Sequence, residues 1–171
     1  MEELVVKAKE GNEIAFTELI LQIKDELYKI AKVRLKNDDD VFDAIQETML
    51  LAYKSLKKLK YNQYFKTWII RILINECNKT YKNSNSKEEY SYELLKNEIS
   101  NQDIIEEKIN FDFICNRLNR EEGTIIVLYY MEKYTDKEIG KIMNMKENTV
   151  RTKRTRTKDK IRKIYKEYGR I

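Results

Sequence analysis

Near the end of this 171-residue chain, threonine alternates with lysine and arginine in KENTVRTKRTRTKDKIRK, residues 146–163. Hydroxyls and guanidinium forks are the groups that reach base edges and phosphates in a DNA major groove. A solvated basic helix face has the same composition and is the commoner use of a charge run. Val150, Thr157, Ile161 and Ile164 recur at helical spacing, so a packed helix with a buried stripe is expected rather than a loose tail. Arg151, Thr152, Thr155 and Arg156 then fall together on another face. Immediately upstream, Thr135-Asp136-Lys137-Glu138 fits a capping box and sets a helix start at Thr135. Ile139, Ile142 and Met143 give that helix a buried face, and Gly140 lets a second helix approach. Asn144 stands where a left-handed turn residue is needed. Together these features predict a helix-turn-helix whose recognition helix begins near Lys146.

A second group of candidates lies at KYNQY, 60–64, a polar break between helical stripes. Tyr61 and Tyr64, beside Asn62 and Gln63, could stack on an unpaired base or simply fill a core. For the neighbouring Phe65 and Trp68, core is the expected role.

Other chemistries find little support. With no histidine anywhere, a zinc site and a Cys-His nucleophile are excluded. Cys77 and Cys115 are expected to be buried and reduced. There is no phosphate-binding glycine loop, and the three aspartates at 38–40 read as solvated turn residues rather than a metal site. Neither a metal nor a cofactor is expected, and the chain does not read as an enzyme. It has no apolar run long enough to cross a bilayer, so a soluble, cytoplasmic protein without stable membrane insertion is expected.

Charge and composition show how these candidates are organised. The net charge is +5, unevenly spread. Residues 1–82 hold 15 Lys/Arg and 13 Asp/Glu, residues 83–110 hold 3 and 7, and residues 111–171 hold 16 and 9. Residues 146–171 alone hold 11 against 3, the footprint of a phosphate-backbone partner. The absence of proline and the presence of only four glycines favour an all-α fold over a turn-rich β-sandwich. Helical stripes run through Ala15–Ala31, Val41–Leu56 and Phe65–Tyr81, giving a first helical domain at 1–82. An acidic, polar linker at 83–110 follows, with a short helix conceivable near Tyr92–Ile99. A second helical unit at 111–171 includes Phe113, Ile114 and Leu118, after Ile105 and Ile109.

These residues resemble those of bacterial extracytoplasmic-function sigma factors of the sigma-70 family. EGNEIAFTELI (10–20) is similar to the family's opening helix. FDAIQETMLLAYKSL (42–56) and FKTWIIRILINEC (65–77) are similar to its region 2 signatures. LNREEGTIIVLYYMEKYTDKEIGKIMNMKENTVRTKRTR (118–156) resembles region 4 without gaps. The resemblance implies a region 2 bundle that docks on core RNA polymerase, of which the β′ and β subunits are the partners, and holds the melted −10 strand. It implies a region 4 helix-turn-helix on the −35 duplex, and an anti-sigma factor as a further partner. Asp43, Gln46 and Glu47 fall on core-docking positions. Lys60, Tyr61, Asn62, Gln63 and Tyr64 fall on the base-capturing loop, and Asn75 on a −10 position. Arg151, Thr152, Thr155 and Arg156 fall on −35-reading positions and Thr149 on a phosphate contact; Lys153 and Lys158, on the same basic helix, are expected on −35 phosphates.

Some positions depart from the family pattern. Arg154 stands where an apolar residue is usual, so its stem is expected to snorkel or the helix to pack differently. Lys133 and Tyr61 replace common glycines, and Lys79 a common acidic residue. The rival reading is a stand-alone helix-turn-helix regulator that binds duplex DNA without polymerase. The C-terminal unit alone would allow that, but the helices at 42–56 and 65–77 would then have no task.

Overall fold

The computed structural model describes residues 1–85 and 111–168, and these are helical throughout apart from short connections. The first unit holds α1 (Glu2–Lys9), α2 (Glu13–Arg34), α3 (Asp38–Ser55) and α4 (Phe65–Asn85). The second holds α5 (Phe111–Arg117), α6 (Arg120–Ile126), α7 (Asp136–Met143) and α8 (Glu147–Tyr168). Most of the linker expected at 83–110, with its conceivable helix near Tyr92–Ile99 and the apolar Ile105 and Ile109, lies outside the described residues. So does the side chain of Phe113.

Local chemistry explains where the helices start. Gly11 takes a φ of +99°, which frees Asn12 to cap α2 by accepting from the Ala15 N–H at 3.0 Å. Asn37 caps α3 by accepting from the Asp39 N–H at 2.8 Å. The three aspartates expected in a turn are therefore the first turn of α3. Their charges face the positive end of the helix macrodipole, which offsets their poor helix propensity. Asn119 and Glu122 form a reciprocal capping box at the start of α6.

In the first unit, α2, α3 and α4 pack around Leu19, Leu27, Ile30, Val41, Phe65, Ile69 and Leu73, all essentially without solvent exposure. Phe65 is core as expected, and Trp68 is half-buried against it with ring centroids 6.0 Å apart. The expectation for the two cysteines holds for Cys77, which is buried, with burial pushing its thiol up to about 12. Cys115 forms no disulfide and is half-buried rather than buried.

The second unit does not stand apart from the first. Six consecutive residues, Gly123–Leu128, are buried, because α6 lies between α2 on one side and α8 on the other. The buried apolar residues of both units form one continuous cluster.

Candidate nucleic-acid interface

Thr135 caps α7, its hydroxyl accepting from the Glu138 N–H at 3.2 Å while the Glu138 carboxylate accepts from the Thr135 N–H at 2.8 Å. These bonds hold the Glu138 carboxyl below the usual carboxylate range. At the other end Asn144 adopts φ 56°, ψ 48° and turns the chain out of α7. The Met145 N–H closes the turn on Gly140 O at 2.8 Å. A Cβ on Gly140 would lie 2.7 Å from Met145 O, so glycine is needed for the close approach of the two helices. Val150, Thr157 and Ile161 are buried and Ile164 half-buried, and they form the stripe read from the sequence.

On the opposite side, Thr149, Arg151, Thr152, Thr155, Arg156 and Lys158 are all exposed. The Thr152 and Thr155 hydroxyls donate to the carbonyls four residues back, at 2.8 and 3.0 Å. Each therefore offers a groove its lone pairs and its methyl group rather than a donor. Lys153 points elsewhere. It is half-buried and paired with Glu121 of α6, away from the exposed row.

Arg154 does not snorkel to water. Its guanidinium forms a two-pronged pair with Asp136, both bonds 2.9 Å, and stacks over the Tyr129 ring at 3.9 Å. The Asp136 carboxyl is held below its usual range chiefly by this pair. Arg151 also reaches Asp136 at 3.5 Å, and it reaches Glu147 at 3.1 Å. Sequence reasoning missed Asp136. Its only signal was the unexplained arginine one turn beyond Val150.

In the first unit, the 60–64 segment is a 3₁₀ turn over Asn62–Tyr64. Lys60, Tyr61, Gln63 and Tyr64 are exposed, and the two tyrosine rings meet edge-on at 6.1 Å. Lys9 of α1 anchors the turn, donating to Leu59 O at 2.6 Å and to the Asn62 side chain at 2.5 Å. The two rings are thus exposed on a tethered loop and do not fill the core. Asn75 is exposed further along α4.

Asp43, Gln46 and Glu47 are exposed on α3, whose other face carries buried Val41, Ala44, Thr48 and Ala52. On the same helix Phe42, Leu50 and Tyr53 are also exposed, as are Ile14 and Leu21 of α2. Among the described residues no group of His, Cys, Asp or Glu could hold a metal ion, and no helix is long and apolar enough to cross a membrane.

Comparison with known proteins fits this geometry. Residues 19–87 match the family model for Sigma-70 region 2, and residues 116–163 match that for Sigma-70, region 4. The ECF RNA polymerase sigma factor SigW of Bacillus subtilis (strain 168) is 24% identical, the alignment covering 93% of each chain. The ECF RNA polymerase sigma-E factor of Haemophilus influenzae is 25% identical over 92% of this chain and 91% of its own. SigM of Mycobacterium tuberculosis (strain H37Rv) is 21% identical over 95% of this chain and 83% of its own. The structure of CnrH in complex with the cytosolic domain of CnrY superposes with a TM-score of 0.71 at 17% identity, covering 97% of each chain. RpoE of Bartonella quintana, in complex with the anti-sigma factor NepR, gives 0.70 at 16% identity over 88% of this chain and 96% of that one. At these identities the two structures show a shared fold. With region 2 and region 4 matched in order on the two helical units, the chain belongs to the sigma-70 family, as an extracytoplasmic-function RNA polymerase sigma factor.

Proposed function

We propose that this sigma factor binds core RNA polymerase through the α3 face and reads a promoter at two places with two different chemistries. Asp43, Gln46 and Glu47, with exposed Phe42 and Leu50 of the same helix, form the docking face for core. Tyr61 and Tyr64, on the loop tied down by Lys9, stack on bases of the melted −10 strand, with Lys60, Asn62, Gln63 and Asn75 alongside. Taking a base out of the stack costs a few kcal/mol, which aromatic stacking can offset. Arg151, Thr152, Thr155 and Arg156 read the −35 duplex in the major groove, and Thr149 and Lys158 contact phosphates. The domains run 1–82, 83–110 and 111–171. The chain acts in the cytoplasm, where its polymerase partner is, and an anti-sigma factor is proposed as a further partner because RpoE of B. quintana was solved with one.

The observation that carries this reading is the exposed row on α8, held by a turn built for close helix approach, in the same molecule as a region 2 bundle with a free carboxylate face. A stand-alone regulator would use only the first of these. Run-off transcription with purified core polymerase and a pool of promoters tests it, and promoter-specific transcripts should appear only when the chain is added. Tight duplex binding without core, and no transcripts with it, would favour the regulator. Glu47→Lys should weaken core binding while leaving the fold intact, since the side chain is exposed and its helix is packed from the other side. Unchanged core affinity in the folded variant would remove this face as the docking site.

A further inference from the structure

The segment 60–64 crosses the surface between two buried anchors, Leu59 and Phe65. Its own bonds are local: the Tyr64 N–H donates to Tyr61 O at 3.1 Å, and the Thr67 hydroxyl donates to Tyr64 O at 3.0 Å. Among the described residues, the hydrogen bonds that reach residues 59–64 from elsewhere in the chain come from the Lys9 ammonium, 2.6 Å from Leu59 O and 2.5 Å from Asn62 Oδ1. Lys9 ends α1, and buried Val5 and Ala8 pack that helix on α2, so the ammonium has a fixed root. An ammonium donates and never accepts. Asn62 must therefore turn its carbonyl to Lys9 and its NH2 away. Asn62 is half-buried, and among the described residues its NH2 neither meets a protein acceptor nor is sealed from solvent.

We propose that Lys9 is a positioning residue for −10 recognition: by holding the Asn62 carbonyl it presents the NH2 to the captured base and so selects a base with a carbonyl oxygen over adenine. An untethered asparagine pairs with adenine through both ends of its amide, the carbonyl accepting from the adenine amino group and the NH2 donating to a ring nitrogen. With Lys9 on the carbonyl, an incoming amino group meets a cation beside its acceptor. The NH2 remains, and cytosine, thymine and guanine each offer it a carbonyl oxygen. Stacking on exposed Tyr61 and Tyr64 tolerates any base, so the amide supplies the choice. The base preference rests on the sigma-factor reading above, whereas the tether is a property of the free chain.

Two readouts on the full chain test this. One is amide hydrogen exchange of the free chain at Tyr64 and Phe65, whose N–H groups close the turn on Tyr61 O and Asn62 O. The other is the affinity of the holoenzyme for −10 single strands in which each position is set in turn to each base; the captured position is the one with the strongest preference. There the wild type should favour thymine over adenine about fivefold, the worth of one hydrogen bond. Lys9→Met keeps the aliphatic stem and removes the ammonium. Exchange at Tyr64 and Phe65 should rise about tenfold, core affinity should stay at the wild-type value, and the preference for thymine should vanish. Asn62→Asp keeps an acceptor for Lys9 and loses the donor. Its exchange should not rise, and its preference should turn to adenine, whose amino group a carboxylate accepts. Unchanged exchange in Lys9→Met, a wild-type base preference retained in Lys9→Met, or a wild type that favours adenine at the captured position would each overturn the proposal. A chain whose tether is evident in exchange but which forms no holoenzyme would instead overturn the sigma-factor reading, and the base preference with it.

Discussion

Asp136 is where the stability and the specificity of region 4 meet. It is nine-tenths buried at the first turn of α7, and it holds Arg154 by two bonds and Arg151 by a longer contact. Asp136→Asn should cost on the order of 2–3 kcal/mol, below the 3–5 of a fully buried pair because Arg154 keeps some contact with water. Urea unfolding of the full chain measures this. Because the folded-state pKa of Asp136 is lowered, its contribution is complete above the unfolded carboxyl value, about 3.9. It is lost as pH falls through the lower folded value. Stability should therefore drop in acid, and less steeply in Asp136→Asn; equal acid slopes for the two proteins would mean that the carboxylate does not stabilise the fold. Lys133 makes a simpler case. Its φ of 62° is a left-handed backbone that costs a side chain about 1–2 kcal/mol, whereas Asn144 at φ 56° tolerates it better. Lys133→Gly should recover about 0.5–1 kcal/mol after the greater freedom of the unfolded glycine is counted, read as a higher urea midpoint.

At the scale of elements, what the sequence made legible were the features decided locally. The capping box at Thr135, the left-handed Asn144 and the buried stripe of α8 all depend on neighbours within a few residues, and all three are present. The first turn of α3 was misread because three aspartates look like a solvated loop. Only the Asn37 cap and the macrodipole make them helical. The pairing of Lys153 with Glu121 was not legible, because a basic residue inside a basic row gives no sign of a carboxylate on another helix. The glycines divide along the same line. Gly140→Ala drives a Cβ to 2.7 Å from a backbone oxygen that cannot move without opening the turn. It should cost about 1–3 kcal/mol and weaken promoter binding. Gly123→Ala meets only side chains of Ile114 and Val33, at 3.4 Å, and it gains helix propensity. It should be neutral or mildly stabilising. Thermal unfolding of the two variants side by side checks the contrast, and equal losses would show that the turn of the helix-turn-helix is not what Gly140 serves.

At the scale of the molecule, the sequence pattern shows two helical units and almost nothing of their packing together. The contacts that join them span 90 residues from Arg34 to Thr124 and 108 from Glu26 to Tyr134, and no local period encodes them. One trace was available: TIIVLYY, 124–130, is apolar on every side, and a helix hydrophobic all round must be covered all round. Within region 4, α8 covers one side of it. The other side is covered by Val33 and Arg34 of α2, which meet Gly123 and Thr124. A fragment of residues 111–171 would therefore expose part of the α6 surface that α2 covers in the full chain. It should remain helical but unfold at lower urea than the same segment does in the full chain, and bind an apolar dye that the full chain does not. The full chain should unfold in one calorimetric transition, with calorimetric and van't Hoff enthalpies equal. Two separate transitions, together with a fragment as stable as its counterpart in the full chain, would mean that the units fold independently and that the α2–α6 contact contributes nothing to the stability of region 4.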